Sequence, residues 1–243
     1  MANVGESHWL IEKRVNRTSQ EPPLTDDGYE QCMSCGAACP IVTADLRNLL
    51  ADATVDFYGA LATAYAADTI LTSDKHYHHI LRLDPALQND AIVLFRHPEA
   101  NWQSYCARNP KGASPDGQRK FLKTWAAVYS NFVQYFDNRG TKIVVDFDEF
   151  TNSPERVLAS ICRQLSLPFD RAALDYWRTR QHYVGGNLQL AMRRHTADES
   201  GLRIKSRSTH RVVKPAPDAE DEFARALDVW QCLRQSHVRS LGV

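Results

Sequence analysis

Apolar residues along the chain fall into two patterns. Thr69 to Ser73 and Ala91 to Phe95 are short apolar or β-branched runs that read as buried strands, and Lys142 to Phe147, with Ile143-Val-Val145 at its core, reads as a third strand. Between and after them the spacing turns helical. Ala44 to Leu50 and Val55 to Ala66 are two such stretches, the second placing Val55, Tyr58, Leu61, Ala62 and Tyr65 on one face. His76 to Leu83 is a short third. Gln118 to Asn138 is the clearest helix, with Phe121, Trp125, Val128, Phe132 and Tyr135 as its stripe and Asn138-Arg139-Gly140 as its stop. Ser153 as N-cap and Pro154 at the first helical position open a helix to Leu165. Arg171 to Arg180 and Asp218 to Val238 are two more, the last carrying Phe223, Leu227, Trp230 and Leu233.

Strands alternating with helices predict an α/β protein, a parallel sheet flanked by helices. Three strands are few for this length. Residues Met1 to Leu10 hold Val4, Trp9 and Leu10 at core density with no strand preceding them, and read as the middle of a fold rather than its beginning. Asn16 to Gln31, with Pro22-Pro23 and Asp27-Gly28, reads as loop, as does Pro110 to Asp116. Residues 188–217 have no sustained period and many charges, the pattern of a mobile lid loop.

With 243 residues, the expectation is a single domain, 1–243. Net charge is zero, so no global field recruits nucleic acid or anionic membrane. No apolar run approaches the length of a membrane span. Met1 leads into Gly5-Glu6-Ser7-His8-Trp9 rather than an apolar leader. Six cysteines do not demand disulfides at this size, which points to a reducing, cytoplasmic setting.

Two places carry candidate chemistry. Arg96 stands at the carboxyl end of the Ala91–Phe95 strand, Pro98 then opens a helix, and Ser104 follows on it. In open α/β sheets that edge is where ligands bind, and a guanidinium fork with a hydroxyl and helix-terminal amides suits a phosphate. A surface ion pair capping the strand end explains Arg96 equally well. The second place is Cys32-Met-Ser-Cys35-Gly-Ala-Ala-Cys39-Pro40, inside an insert of residues 28–43. Free thiols are the default there. A structural zinc with His8 or a distant residue as fourth ligand, or a disulfide, are the alternatives.

Arg96-His97-Pro98 with Ser104, the strand-end Ser73-Asp74-Lys75, Val145-Asp-Phe-Asp-Glu-Phe150, Ser153-Pro-Glu-Arg-Val-Leu158 and the His182 to Asn187 turn occur in an order resembling one family. The chain resembles sulfotransferases that use 3′-phosphoadenosine 5′-phosphosulfate (PAPS), in particular their broad bacterial group. The resemblance spans about Val4 to Trp230. It implies a P-loop-like parallel sheet and transfer of a sulfuryl group from PAPS to a hydroxyl or amine of a small-molecule or glycan acceptor. It implies further that Arg96 and Ser104 hold the 3′-phosphate and that Lys75 supplies charge to the bridging oxygen. Glu6, or else His8, is then the base, and Asn187, Arg193, Lys205 and Arg207 close over the nucleotide. Each has a plainer counterpart: Lys75 as a solvated helix start, Glu6 as partner of Lys13 or Arg14, the basic run as a solvated face.

Members of the family open with a strand and an R-S-G-T-type loop that cradles the 5′-phosphosulfate, and this sequence shows neither. A truncated front is favoured over genuine loss of the loop, and weak or no turnover is expected of the chain as it stands. The alternative is a non-catalytic nucleotide- or partner-binding remnant. A P-loop kinase relative is disfavoured because no G-x-x-x-x-G-K-[S/T] is present.

Overall fold

The computed structural model describes residues 1–5, 32, 35–73, 90–110, 113–136, 140–178, 182–184 and 215–241. Two compact units emerge: residues 1–87 with 175–203, and residues 88–174 with 204–243.

In the first unit, strand β1 (Ala2–Gly5) pairs in parallel with β2 (Ile70–Thr72), with a bulge between Asn3 and Gly5. A strand at residues 2–5 adds a fourth to the three read from apolar runs. Ala-Asn-Val-Gly has neither alternation nor a β-branched run, so local propensity is silent and the ladder to β2 supplies the order. Between the two strands lie α1 (Ala44–Ala51) and α2 (Phe57–Ala64). Their core is Val42, Leu46, Leu50, Phe57 and Leu61, joined by Val184, Cys32 and Cys39. Phe57 and Leu61 are the buried positions of α2, whereas Val55 and Ala62 are half-buried.

Asp56 caps α2 by accepting from the Gly59 amide at 3.1 Å. Asp56→Ala is therefore expected to lower stability by about 1 kcal/mol. Gly59→Ala ordinarily gains about 1 kcal/mol of helix propensity, yet its Cβ would fall 2.3 Å from Asp56 Oδ2 and push the cap aside. The two terms nearly cancel, so in thermal scans that variant is expected to melt close to wild type, and Asp56→Ala below it.

In the second unit, β3 (Ala91–Phe95) and β4 (Lys142–Asp146) run parallel, in register from Ala91↔Lys142 to Phe95↔Asp146. The crossover is α3 (Pro98–Arg108) followed by α4 (Pro115–Phe136). After β4 come α5 (Phe147–Asn152), α6 (Pro154–Gln164) and finally α7 (Glu220–Leu241). Val144 packs with Val93, Phe95, Leu122, Trp125, Ala226 and Leu233. Its neighbours Ile143 and Val145 pack with Val157 and Ile161. Opposite faces of β4 thus carry helices, α4 and α7 on one and α6 on the other, which is the α/β arrangement expected. The described strands form two separate parallel pairs rather than one sheet.

Three local expectations change. β3 is not buried on both faces: Ala91, Val93 and Phe95 point inward, but Ile92 and Leu94 are 39% and 44% exposed. The buried line of α4 is Leu122 and Trp125 flanked by Phe121, Tyr129 and Val133, because this face meets β3 and α7; Val128 and Phe132 are half-buried beside it. Arg171–Arg178 winds as a 3-10 segment with a break at Asp175 instead of an α-helix. Ser153 does hold the cap position of α6, but its side chain makes no capping hydrogen bond. Among the described residues no helix is long and apolar enough to cross a membrane.

Candidate functional site

Parallel pairing brings the carboxyl ends of β3 and β4 to one edge, and both strands feed helix N-termini there. Phe95 is fully buried, so Arg96 is delivered at a fixed place at that edge. His97 precedes Pro98 at the first position of α3, where the missing amide costs nothing. From β4 the chain turns directly into α5, because Asp146 accepts from the amides of Asp148 and Glu149 at 2.8 and 3.3 Å.

Arg96 is 14% exposed and lies over the Phe147 ring at 5.1 Å. Its Nε stands 3.4 Å from Asp148 Oδ1, close enough for charge attraction but outside hydrogen-bond geometry. That buried Nε makes no hydrogen bond among the described residues. Ser104 is half-buried on α3, six residues past Pro98 and so about 9 Å along the axis. The strand-edge placement expected of Arg96 is present. Its neighbour is Asp148, which the sequence reading did not single out.

Beside Arg96 lies a cleft of about 500 Å³, lined by His97, Glu99, Asp146, Asp148, Glu149, Asn152, Trp230 and Arg234. His97 meets the edge of Trp230 at 4.8 Å, and the Arg234 guanidinium covers the same indole at 5.2 Å. Four carboxylates face one arginine, so the cleft repels an anion and favours a neutral or cationic group. Glu149 is the best anchored of them, hydrogen-bonded to Arg156 and to the buried His237 of α7. Burial alone would raise its pKa; the hydrogen bonds from His237 and Arg156 outweigh that and hold it below the ordinary glutamate value. The other nitrogen of His237 lies 3.2 Å from the Asp146 amide and 3.0 Å from the Val144 carbonyl, which ties α7 to the end of β4.

In the first unit the three cysteines of the insert converge. Cys32 and Cys39 are 2% and 3% exposed, Cys35 is half-buried, and His182 joins them with Nδ1 at 3.3 Å from Cys35 Sγ and 3.2 Å from Cys39 Sγ. None of the three thiols is in a disulfide. Burial pushes the Cys35 thiol up to about 11, with the neighbouring sulfurs adding to the effect, and burial raises Cys39 as well. His182 was read from the sequence as part of a turn; nothing in spacing across more than 140 residues signals that it meets the cysteines.

Lys75, Glu6, His8, Asn187, Arg193, Lys205 and Arg207 lie outside the described residues. So do the helix expected at His76 to Leu83 and the stop at Asn138-Arg139.

No protein-family model and no curated protein matches the chain. Among solved structures it is similar to the sulfotransferase domain from the curacin biosynthetic pathway, at 12% identity and a TM-score of 0.46, covering 93% of this chain and 96% of that one. A likeness at that level transfers no residue roles.

Proposed function

We propose that the chain is a sulfotransferase-type protein that binds the adenosine 3′-phosphate end of PAPS at the carboxyl edge of β3 and places a hydroxyl or amine acceptor in the adjoining cleft. The observation that carries this reading is Arg96, fixed between the buried Phe95 at the end of β3 and the N-terminus of α3, with a buried Nε lacking a hydrogen-bond partner among the described residues. A guanidinium so held is preorganised for a phosphate oxygen. The motif order from Ser73 to Asn187 supports the family assignment. In the transfer, the acceptor oxygen or nitrogen forms its bond to sulfur as the sulfur's bond to the 5′-phosphate oxygen breaks. Lys75 offsets charge on that leaving oxygen, and Glu6 or His8 takes the acceptor's proton. Ser104 adds a hydroxyl to the 3′-phosphate, while Asn187, Arg193, Lys205 and Arg207 cover the nucleotide. The carboxylates of the cleft suit a polar or cationic acceptor rather than the anionic donor.

One feature favours a second reading, binding without turnover: Asp148 already sits against Arg96 and competes with any phosphate. Calorimetry with adenosine 3′,5′-bisphosphate, paired with a labelled-sulfate transfer assay, separates the two. Wild type is expected to bind saturably. Arg96→Ala should weaken binding roughly 10- to 150-fold, the value of one charge-assisted contact at about 1.5–3 kcal/mol. Arg96→Lys should recover part of the loss, and Asp148→Asn should tighten binding by removing the competitor. Binding without transfer selects the second reading. Absence of saturable binding in wild type, or equal affinity in Arg96→Ala, overturns both.

A further inference from the structure

Cys32, Cys35, Cys39 and His182 have no part in the strand-edge chemistry, yet they are the most tightly gathered set of ligand-type side chains among the described residues. Each offers one ligand atom, three Sγ and one Nδ1, and all four lie within 4.8 Å of one another. A tetrahedral ion with bonds of about 2.3 Å to sulfur and about 2.0 Å to nitrogen holds its ligand atoms roughly 3.5–3.8 Å apart. The two Nδ1–Sγ distances, 3.2 and 3.3 Å, are already close to that spacing. Closing the rest requires at most about an ångström of contraction.

The backbone around the set is arranged for the same purpose. Gly36 adopts φ 68°, a left-handed conformation that favours glycine, and its amide bonds the Cys32 carbonyl at 2.8 Å. That turn brings Cys32 and Cys35 to the same side. The Val42 amide donates to Cys39 Sγ at 3.2 Å, a contact that stabilises a thiolate more than a thiol. Tyr65 Oη donates to the His182 carbonyl at 2.5 Å and so fixes the backbone of the distant ligand.

Two plainer explanations fit less well. Thiols filling a core behave as small apolar groups and give no reason for an imidazole nitrogen within hydrogen-bond distance of two sulfurs. A disulfide would use two of the sulfurs and leave the third and the imidazole without a role.

We propose that Cys32, Cys35, Cys39 and His182 hold one zinc ion in a closed, structural site that clamps residues 32–39 to the chain 143 residues beyond Cys39. Three thiolates and an imidazole select zinc over magnesium, calcium or manganese. Four protein ligands, two of them fully buried, leave no open position for a substrate or water, so the ion orders the unit and does no chemistry. The site stands independently of the nucleotide reading.

The test uses the full chain, purified reduced and without oxygen. Metal analysis should return one zinc per chain. After chelation, cobalt(II) should saturate at one equivalent with thiolate charge-transfer absorption and the intense d–d bands of a tetrahedral ion, and one equivalent of zinc should bleach them. His182→Cys should still bind one ion, with charge-transfer absorption raised in step with a fourth thiolate. This variant keeps the test decisive if Cys39→Ser or His182→Ala fails to fold. Cys106→Ser, Cys162→Ser and Cys232→Ser should leave stoichiometry and spectrum unchanged. The proposal is overturned if the reduced chain binds no stoichiometric zinc or cobalt, if the cobalt spectrum of His182→Cys equals wild type, or if any of the three control serines abolishes binding.

Discussion

Phe95→Ala is expected to cost about 3–5 kcal/mol of folding stability. Phe95 is fully buried at the end of β3, in the cluster with Val93, Leu122, Trp125, Val144, Ala226 and Leu233. Its ring also meets the edge of His237 at 6.3 Å. Truncation removes the transfer free energy of the ring and leaves a cavity between β3, α4 and α7 that these elements can only partly collapse into. Against a total of about 5–15 kcal/mol for an ordinary domain, that loss is large. Leu94, one residue earlier and 44% exposed, supplies the contrast: Leu94→Ala should cost well under about 1 kcal/mol. Urea midpoints of the two variants measure this. The reverse ranking would mean that the Ile92/Leu94 face, not the Phe95 face, is the one packed in solution. Because Phe95 fixes the start of Arg96, Phe95→Ala should also weaken adenosine 3′,5′-bisphosphate binding under conditions where it is still folded.

Three of the four described strands are legible as apolar runs because burial selects β-branched and aliphatic residues whatever their partners are. β1 is not, since Ala-Asn-Val-Gly carries no signal that survives without its pairing to β2. Helix existence follows from period, but the face of α4 does not. Both Trp125–Phe132 and Trp125–Tyr129 satisfy helical spacing, and the choice is made by β3 and α7, which a local window cannot see. The candidate site divides in the same way. Arg96 is legible because a charged residue ends an apolar run. The carboxylates beside it enter the sequence reading only as part of the Val145–Phe150 motif, and become a cleft wall through the capping of α5 by Asp146. Partners far apart in sequence are invisible to spacing: His237 reaches Glu149 across 88 residues, and His182 reaches Cys39 across 143.

His237→Ala is expected to cost about 2–4 kcal/mol, and the cost should shrink in acid. The side chain is 2% exposed; Nε2 bonds the Glu149 carboxylate, and Nδ1 lies against the Asp146 amide and the Val144 carbonyl, bonding one of the two according to the tautomer. A hydrogen bond to a charged partner contributes about 1.5–3 kcal/mol, and the emptied space behind β4 adds a packing loss. The pH dependence comes from Glu149, whose folded-state pKa is depressed below the ordinary value of 4.5 by His237 and Arg156, against burial. A depressed carboxylate contributes stability that is complete above its unfolded pKa and disappears as pH falls through the folded one. Removing His237 leaves Arg156 to hold that carboxylate, so the depression and its contribution both become smaller. The stability gap between wild type and His237→Ala should therefore be widest above pH 4.5 and narrow below it, leaving the packing loss. Glu149→Gln should show a smaller gap to wild type that vanishes over the same acid range, because it removes the charge and keeps the shape. Denaturation midpoints of the three proteins from neutral pH into acid measure both trends. A His237→Ala gap that stays constant through that range would show that the histidine acts by packing alone, and that Glu149 does not depend on it.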